Sequence, residues 1–360
     1  MQFAIMIDSH IDKWPLIRRA EELGYDRAYV PDSEMIWSDC HAILALAAAN
    51  TRRIALGTGV SNPGSRLAPV TACAIATINR IAPGRVFLGL GTGHTSMRLV
   101  GRPPASLSHL REYVRVVRAL LDGEEVDYPY QGQSRLIKFM HRDRAYLDLD
   151  HRIPIYLAAN AAQATQLAGE IADGWITHTI DPAVGAAGLQ RLQEGAHRVG
   201  RSLPAHFHTT FQTTTCVLRP GENLRSERVI DWTGAHVACV LHIAWEQWNK
   251  SGRRDETVPR FFADIWEEYV AHVERMSLPP AARFRQIHEG HCTFVTAQER
   301  RFITPEAIAA ICLVGTPNEI VGRIRAMEQI GFNEVHLYPP ADCDRAVFEE
   351  FAQFVMPAFR

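Results

Sequence analysis

Met1-Gln2-Phe3-Ala4-Ile5-Met6-Ile7-Asp8-Ser9-His10-Ile11-Asp12 opens the chain, and the turn after its apolar run decides between two α/β architectures. Phe3–Ile7 reads as a buried strand. In a doubly wound open sheet the turn after the first strand normally carries a glycine-rich phosphate-binding fingerprint. Asp8-Ser9-His10-Ile11-Asp12 contains no glycine, so the alternative, a closed barrel, is favoured.

Outward from this stretch the chain alternates short apolar runs with helical patterns. The runs Arg27–Val30, Ile54–Val60, Val86–Leu90, Ile153–Ala158, Trp175–His178, Phe207–Leu218 and Glu334–Tyr338 fit buried parallel strands. Helical segments fall between them at Trp14–Leu23, Ala42–Asn50, Pro69–Ile81, Ser108–Leu121, Ala161–Ala172, Val184–Val199 and Pro317–Ile330, with a last one at Ala346–Phe354. Eight strands each followed by a helix predict a (β/α)8 TIM barrel. Two stretches interrupt the alternation. Residues 122–152 form an excursion between the fourth and fifth strands, and residues 219–312 a mostly helical insertion between the seventh strand and the last. Both are expected to lie within one barrel domain, residues 1–360. A βα insertion can cover the active face of a barrel as a lid, or it can pack on the side or at a subunit interface.

Composition narrows the function classes. A hydrophobic share of 47% with 22% charged residues is that of a globular chain, and a net charge of -2 gives no electrostatic case for nucleic acid or anionic membrane as a partner. No window approaches the roughly 18 uninterrupted apolar residues of a membrane-spanning helix. The first residues read as a strand rather than a signal peptide, and the seven cysteines show no short paired spacing. A cytoplasmic protein with reduced thiols and no metal is therefore expected. His288 and His291 flank Gly290, but no third ligand is evident in the sequence. No His-Glu-x-x-His or Gly-x-Ser-x-Gly motif occurs.

Four strand ends carry the candidate chemistry. Leu23-Gly24-Tyr25-Asp26 leads through the second strand to Pro31-Asp32. Gly24 suits a helix C-cap, and Asp32 can either hold a ligand hydroxyl or cap the next helix. Through the third strand and past its end, Arg53-Ile54-Ala55-Leu56-Gly57-Thr58-Gly59-Val60-Ser61-Asn62-Pro63-Gly64-Ser65-Arg66 offers small residues for a close backbone approach, with Ser61 and Asn62 as polar groups; an ordinary glycine-proline loop would read the same way. Gly89-Leu90-Gly91-Thr92-Gly93-His94 ends the fourth strand. Its glycines can lie beneath a flat ring, and His94 can relay a proton or be a satisfied polar residue. Finally, Ala158-Ala159-Asn160-Ala161-Ala162-Gln163 runs straight into a helix start, where free amides and the helix dipole favour a phosphate. Asn160 can add a donor or cap that helix. His178 sits at the tip of the sixth strand. The helix-spaced aromatics Trp245, Trp248, Phe262 and Trp266 fit core better than a cofactor box.

Together with Ala168-Gly169-Glu170-Ile171-Ala172-Asp173-Gly174 and Val314-Gly315-Thr316-Pro317-Asn318-Glu319, these stretches resemble the luciferase-like monooxygenase superfamily. That superfamily includes bacterial luciferase, flavin-dependent alkane and sulfonate monooxygenases, and reductases that use the deazaflavin coenzyme F420. The resemblance covers roughly residues 1–200 and 313–340. It implies a reduced flavin or deazaflavin at the C-terminal ends of the strands, with Val60 and Ser61, in a region that often has a non-prolyl cis peptide, beneath the ring. Asp32, Asn62, Gly91, Thr92 and Gly93 would lie around the cofactor, and Ala158, Ala159, Asn160, Ala161 and Gln163 would seat its phosphate.

The departures bear on the chemistry. Many relatives have Asp-His after the second strand, where this chain has Asp32-Ser33-Glu34, and several deazaflavin relatives have an acidic residue where this chain has His94. Trp37 still matches a ring near the substrate in deazaflavin-dependent relatives. These departures favour a monooxygenase using reduced FMN, supplied by a partner flavin reductase, and O2 to oxygenate a small organic substrate. His94 or His178 would handle protons, and Ser33 and Trp37 would shape the substrate side. The alternative is an F420-dependent oxidoreductase that transfers hydride, like methylenetetrahydromethanopterin reductase. A non-catalytic flavin-binding protein is the third reading. Homodimers or higher homo-oligomers are usual in the family.

Overall fold

The computed structural model describes residues Met1–Arg360. Its strands are β1 (Gln2–Met6), β2 (Arg27–Val30), β3 (Ala55–Thr58), β4 (Val86–Leu90), β5 (Val126–Tyr130), β6 (Gln133–Ile137), β7 (Ile155–Ala158), β8 (Gly174–Thr177), β9 (His208–Thr213), β10 (Thr215–Val217), β11 (Leu313–Gly315) and β12 (Glu334–Leu337). Eight of them close a parallel barrel in the order β1-β12-β9-β8-β7-β4-β3-β2. The chain is a (β/α)8 barrel, and each predicted strand falls on a barrel strand.

The covering helices follow the same alternation. α1 (Trp14–Leu23), α2 (Cys40–Asn50) and α3 (Ala68–Ile81) follow the first three strands. After β4 come the short α4 (His94–Leu99) and the longer α5 (Leu107–Leu121). α6 (Ala162–Ile171) and α7 (Pro182–Arg198) follow β7 and β8. α1 ends where Gly24 takes the left-handed conformation at φ 91°, donating its N–H to the Ala20 and Glu21 carbonyls.

α6 and α7 owe their close approach to two glycines. A Cβ on Gly169 would stand 2.0 Å from the Leu192 carbonyl oxygen, and one on Gly195 would stand 2.0 Å from that of Gln166. Backbone meets backbone there, so neither side can yield by rotating a side chain. Gly195→Ala is expected to cost about 1–3 kcal/mol through overpacking, read as a lower urea midpoint at unchanged m-value.

Both interruptions have structure of their own. The excursion carries an antiparallel hairpin, with β5 paired to β6 from Val126↔Ile137 to Tyr130↔Gln133. The insertion begins after a feature that the sequence reading merged. Phe207–Leu218 is not one strand: β9 ends at Thr213, and β10 leaves the barrel to pair with β11 as a separate two-stranded sheet. Between β10 and β11 lie α8 (Glu227–Lys250), α9 (Trp266–Glu274), α10 (Phe284–Ile287) and α11 (Pro305–Ile311). α12 (Pro317–Ile330) then leads to β12, and α13 (Asp344–Phe354) follows it. Thr316 and Glu319 make a reciprocal capping box at the start of α12.

Trp248, Phe262, Trp266, Tyr269 and Phe302 form the insertion's own apolar core, with Trp245 packed against it. The core reading of the aromatic cluster therefore holds. Inside the barrel, side chains from alternate strand positions point to the axis. Ala4, Met6, Tyr29, Phe87, Tyr156, Ile176 and Tyr338 pack there, interleaved with buried polar groups from β9 and β12: His208, Gln212, Glu334 and His336.

Candidate active site at the mouth of the barrel

A cavity of about 480 Å³ opens at the C-terminal ends of the strands. Every barrel strand contributes to it, directly or through the residues just past its end. Met6 comes from β1, Asp32 and Ser33 from beyond β2, Gly59 and Val60 from beyond β3, and Gly91 to Ser96 from beyond β4. Ala158 to Ala161 come from the end of β7 and the turn after it, Ile176 and His178 from β8 and just past its end, and Gln212, His336 and Tyr338 from β9 and the end of β12.

The floor is made of small residues. A Cβ on Gly91 would lie 2.9 Å from Val60 Cγ2 and 3.6 Å from the Ala158 Cβ, so a side chain there would fill the space between the third, fourth and fifth barrel strands. The Gly59–Val60 peptide is cis.

Asp32 is buried, and its Oδ2 accepts the Ser61 hydroxyl at 2.6 Å and the Arg66 guanidinium. It does not cap the next helix. Asp39 does, accepting the His41 and Ala42 amides at 2.9 and 3.1 Å. Ser61 is thus committed to Asp32. Asn62 is turned into its own loop, where its carbonyl accepts the Gly64 and Ser65 amides and its amide donates to Ser96. Neither Ser61 nor Asn62 lines the cavity wall, and the Gln163 side chain faces the outer surface beside Leu107 and Arg111.

The start of α6 is left without a side-chain cap, while Ala161 and Ala164 line the cavity. Unpaired amides and the positive dipole end therefore face the space. Asn160 does not cap the helix. Its carbonyl accepts the Thr177 hydroxyl at 2.8 Å and the His178 amide at 3.1 Å, which fixes the end of β8.

Ser33, Trp37, His94 and His178 all line the cavity. The two histidines differ in what their rings meet. His94 turns Nδ1 toward Glu246 Oε2 at 3.5 Å and takes Arg98 at Nε2, 3.3 Å away. Burial, partly opposed by Glu246, pushes its pKa down. His178 lies 6.5 Å from the near-parallel ring of His236, and burial likewise lowers its pKa.

Several wall residues were not read from the sequence. His336 stacks on Tyr29 at 3.9 Å between ring centres, and neither of its ring nitrogens has a partner. Burial pushes its pKa down to about 3, so it is neutral near pH 7. The Tyr338 hydroxyl and Trp37 Nε1 are also buried without partners. Unpaired buried polar atoms carry a cost that a bound ligand can remove.

The insertion supplies the remaining wall. Cys239, Val240, Ile243 and Gln247 lie on one face of α8, and His291 and Cys292 come from the loop after α10. Glu246 on α8 ties this cover to α4. It meets Arg98, faces His94, and accepts from His288 Nε2 at 3.0 Å. Burial pushes its carboxyl up, but His288, His94 and Arg98 outweigh this and hold it below the usual range.

A barrel with a small-residue floor, an uncapped helix start and a helical cover can now be set beside the proteins this chain resembles. The luciferase-like monooxygenase family model matches residues 14–334, so the chain belongs to that family. It is an oxidoreductase. Among curated relatives, 5,10-methylenetetrahydromethanopterin reductase of Archaeoglobus fulgidus is 24% identical over 91% of this chain and 90% of its own. The same-named protein of Methanolobus tindarius is 33% identical over 51% of this chain, and F420-dependent glucose-6-phosphate dehydrogenase of Beutenbergia cavernae is 35% identical over 51%. Those two matches span about half of the relatives' lengths, 54% and 58%.

Among solved structures, the coenzyme F420-dependent tetrahydromethanopterin reductase of Methanopyrus kandleri superposes with a TM-score of 0.70 at 20% identity, covering 100% of this chain and 99% of its own. The FMN-bound oxygenating constituent of 3,6-diketocamphane monooxygenase from Pseudomonas putida superposes at 0.61 and 15% identity, covering 99% and 98%. At these identities the structures establish the fold alone. No helix is long and apolar enough to cross a membrane.

Proposed function

We propose that the protein is an F420-dependent oxidoreductase that transfers hydride between the deazaflavin and a small organic substrate. The observation that carries this reading is the set of curated relatives: 5,10-methylenetetrahydromethanopterin reductases matched along most of the chain, and F420-dependent glucose-6-phosphate dehydrogenases matched at 35% identity over about half of it. It replaces reduced FMN with O2 as the leading reading, because the curated relatives are these reductases and dehydrogenases, while individual flavin monooxygenases match only as solved structures, at identities such as 15%.

The residues present fit a flat tricyclic ring with a phosphate-bearing side chain. Gly91, Val60 and Ala158 leave a floor that one Cβ would fill, and the uncapped start of α6 offers amides to a phosphate. Asp32, Thr92 and Gly93 lie along the same wall. When bound, the deazaflavin supplies a two-electron hydride centre that reacts poorly with O2, while the protein supplies position and a dry pocket. Trp37 and Ser33 border the substrate side. His178, whose amide is fixed by Asn160, would accept or return the substrate proton.

Fluorescence titration of the purified protein with F420 and with FMN tests the choice. F420 is expected to bind at least about tenfold more tightly, a difference of about 1.4 kcal/mol. Tighter FMN binding, or turnover that consumes O2, would restore the monooxygenase reading.

A further inference from the structure

Three soft metal-ligating groups converge on the cavity from parts of the insertion far apart in sequence. Cys239 lies on α8, and His291 and Cys292 lie in the loop after α10. Their ligand atoms all lie within 4.8 Å of one another, with Cys239 Sγ 3.8 Å from His291 Nδ1. A tetrahedral zinc with Zn–S of about 2.3 Å and Zn–N of about 2.0–2.1 Å puts its sulfur and nitrogen ligands about 3.6 Å apart. The observed separation is therefore close to that of a bound set.

The backbone explains how two adjacent residues serve one centre. Successive side chains in extended chain point to opposite sides. Cys292 instead takes φ 56°, in the left-handed region, and this turn brings its thiol to the side of His291. The loop is held by the Phe294 and Thr293 amides, which donate to the Gly290 carbonyl, and by the Ala341 amide, which donates to the Thr293 carbonyl. All three groups line the cavity. His291 faces Trp37 at 6.0 Å between ring centres, and Cys292 packs against the barrel-interior cluster that includes Tyr338.

We propose that Cys239, His291 and Cys292 form a zinc site whose fourth position opens into the cofactor cavity. Two thiolates with one imidazole suit zinc rather than a hard cation. Structural zinc sites are closed by four protein ligands, whereas three ligands and an open position mark a catalytic one. The open position takes an oxygen of the substrate, and Tyr338, whose hydroxyl is buried without a partner, lines the same cavity. Resting on the hydride-transfer reading, this makes the substrate an alcohol or carbonyl compound whose oxygen the metal polarises.

The test needs no deazaflavin, so its outcome is independent of the cofactor assignment. Untagged protein purified under reductant and dialysed is expected to retain about one zinc per chain, and C239S or C292S to retain about tenfold less or lower. Cobalt in place of zinc is expected to give a thiolate-to-metal charge-transfer band and intense tetrahedral d–d bands. Those bands should shift on adding imidazole, the probe of the open position. Retained metal unchanged in C239S, or wild-type protein that binds neither zinc nor cobalt, would overturn the site. Cobalt bands that ignore imidazole would overturn the open position. If the serine variants fail to fold, the cobalt spectrum of the wild type decides alone.

Discussion

Glu334→Gln is expected to lower the unfolding free energy by about 3–5 kcal/mol at neutral pH, because it removes one partner from a buried charge network. Glu334 is fully buried at the start of β12. Its Oε1 accepts the Tyr29 hydroxyl at 2.8 Å and His208 at 3.2 Å, and its Oε2 accepts Arg27 at 2.8 Å. These contacts join β2, β9 and β12 across the barrel interior, beneath the layer that holds His336. A glutamine of the same shape keeps the volume, but it leaves Arg27 without its counter-ion, and its amide N–H₂ takes an acceptor away either from Arg27 or from Tyr29 and His208.

The loss is expected to depend on pH with a definite sign. Burial pushes the Glu334 carboxyl up, yet His208 and Arg27 outweigh this and hold it far below the ordinary carboxylate range. In the unfolded chain a glutamate takes up its proton near pH 4.3, while the folded carboxyl stays ionised. The unfolded state then binds more protons, and the stability due to Glu334 fades as pH falls below that point. Urea midpoints of wild type and variant should therefore differ most above about pH 5 and draw steadily closer as pH falls toward 3, meeting only where the folded carboxyl itself takes up a proton. A gap that stays constant across this range would mean that the charge contributes nothing.

The same network shows where sequence reading reached its limit. The barrel strands were legible because buried parallel strands are short apolar runs bounded by turn residues, and because Gly24 and the Thr316–Glu319 box mark helix ends. Glu334, His336 and Tyr338 broke that apolar rule at every second position of one strand, an alternation that already pointed three polar groups inward. The split of Phe207–Leu218 left no such trace. Thr213-Thr214-Thr215 suits β-structure throughout, and only the closure of the barrel decides that β9 ends and β10 turns away to β11.

The site was half legible for a related reason. Backbone-level features, the small floor at Gly91 and Ala158 and the uncapped start of α6, are local in sequence and were found. Side chains whose roles depend on neighbours were not: Ser61 and Asn62 face Asp32 and their own loop rather than the cavity. Cys239 and His291 reach the cavity, and Glu246 reaches His94, only because residues 219–312 fold over it. No spacing rule links Cys239 to His291.

Gly91→Val carries the largest expected effect on ligand binding. The wild-type position has no side chain, and the nearest groups to an added Cβ are Val60 Cγ2 at 2.9 Å and the Ala158 Cβ at 3.6 Å. A few tenths of an ångström of movement by Val60 admits the Cβ, so the barrel should still fold, with an overpacking cost of about 1–3 kcal/mol at most. The two further methyl carbons of valine have only the cavity to enter. They would occupy the floor on which a flat ring would lie, where dense packing leaves no slack to absorb them. Affinity for F420 is expected to fall at least about 100-fold, equivalent to about 2.7 kcal/mol. Fluorescence titration measures the affinity, and circular dichroism with a thermal melt confirms that the fold survives. A folded variant that binds F420 as tightly as wild type would remove the ring from this floor and leave the uncapped start of α6 as the only support for where the cofactor lies. Asp32→Asn supplies the contrast on the same wall. It keeps the size of the side chain and loses the charge that meets Arg66, so its effect should be on the Asp32–Arg66–Ser61 link rather than on the space available to the ring.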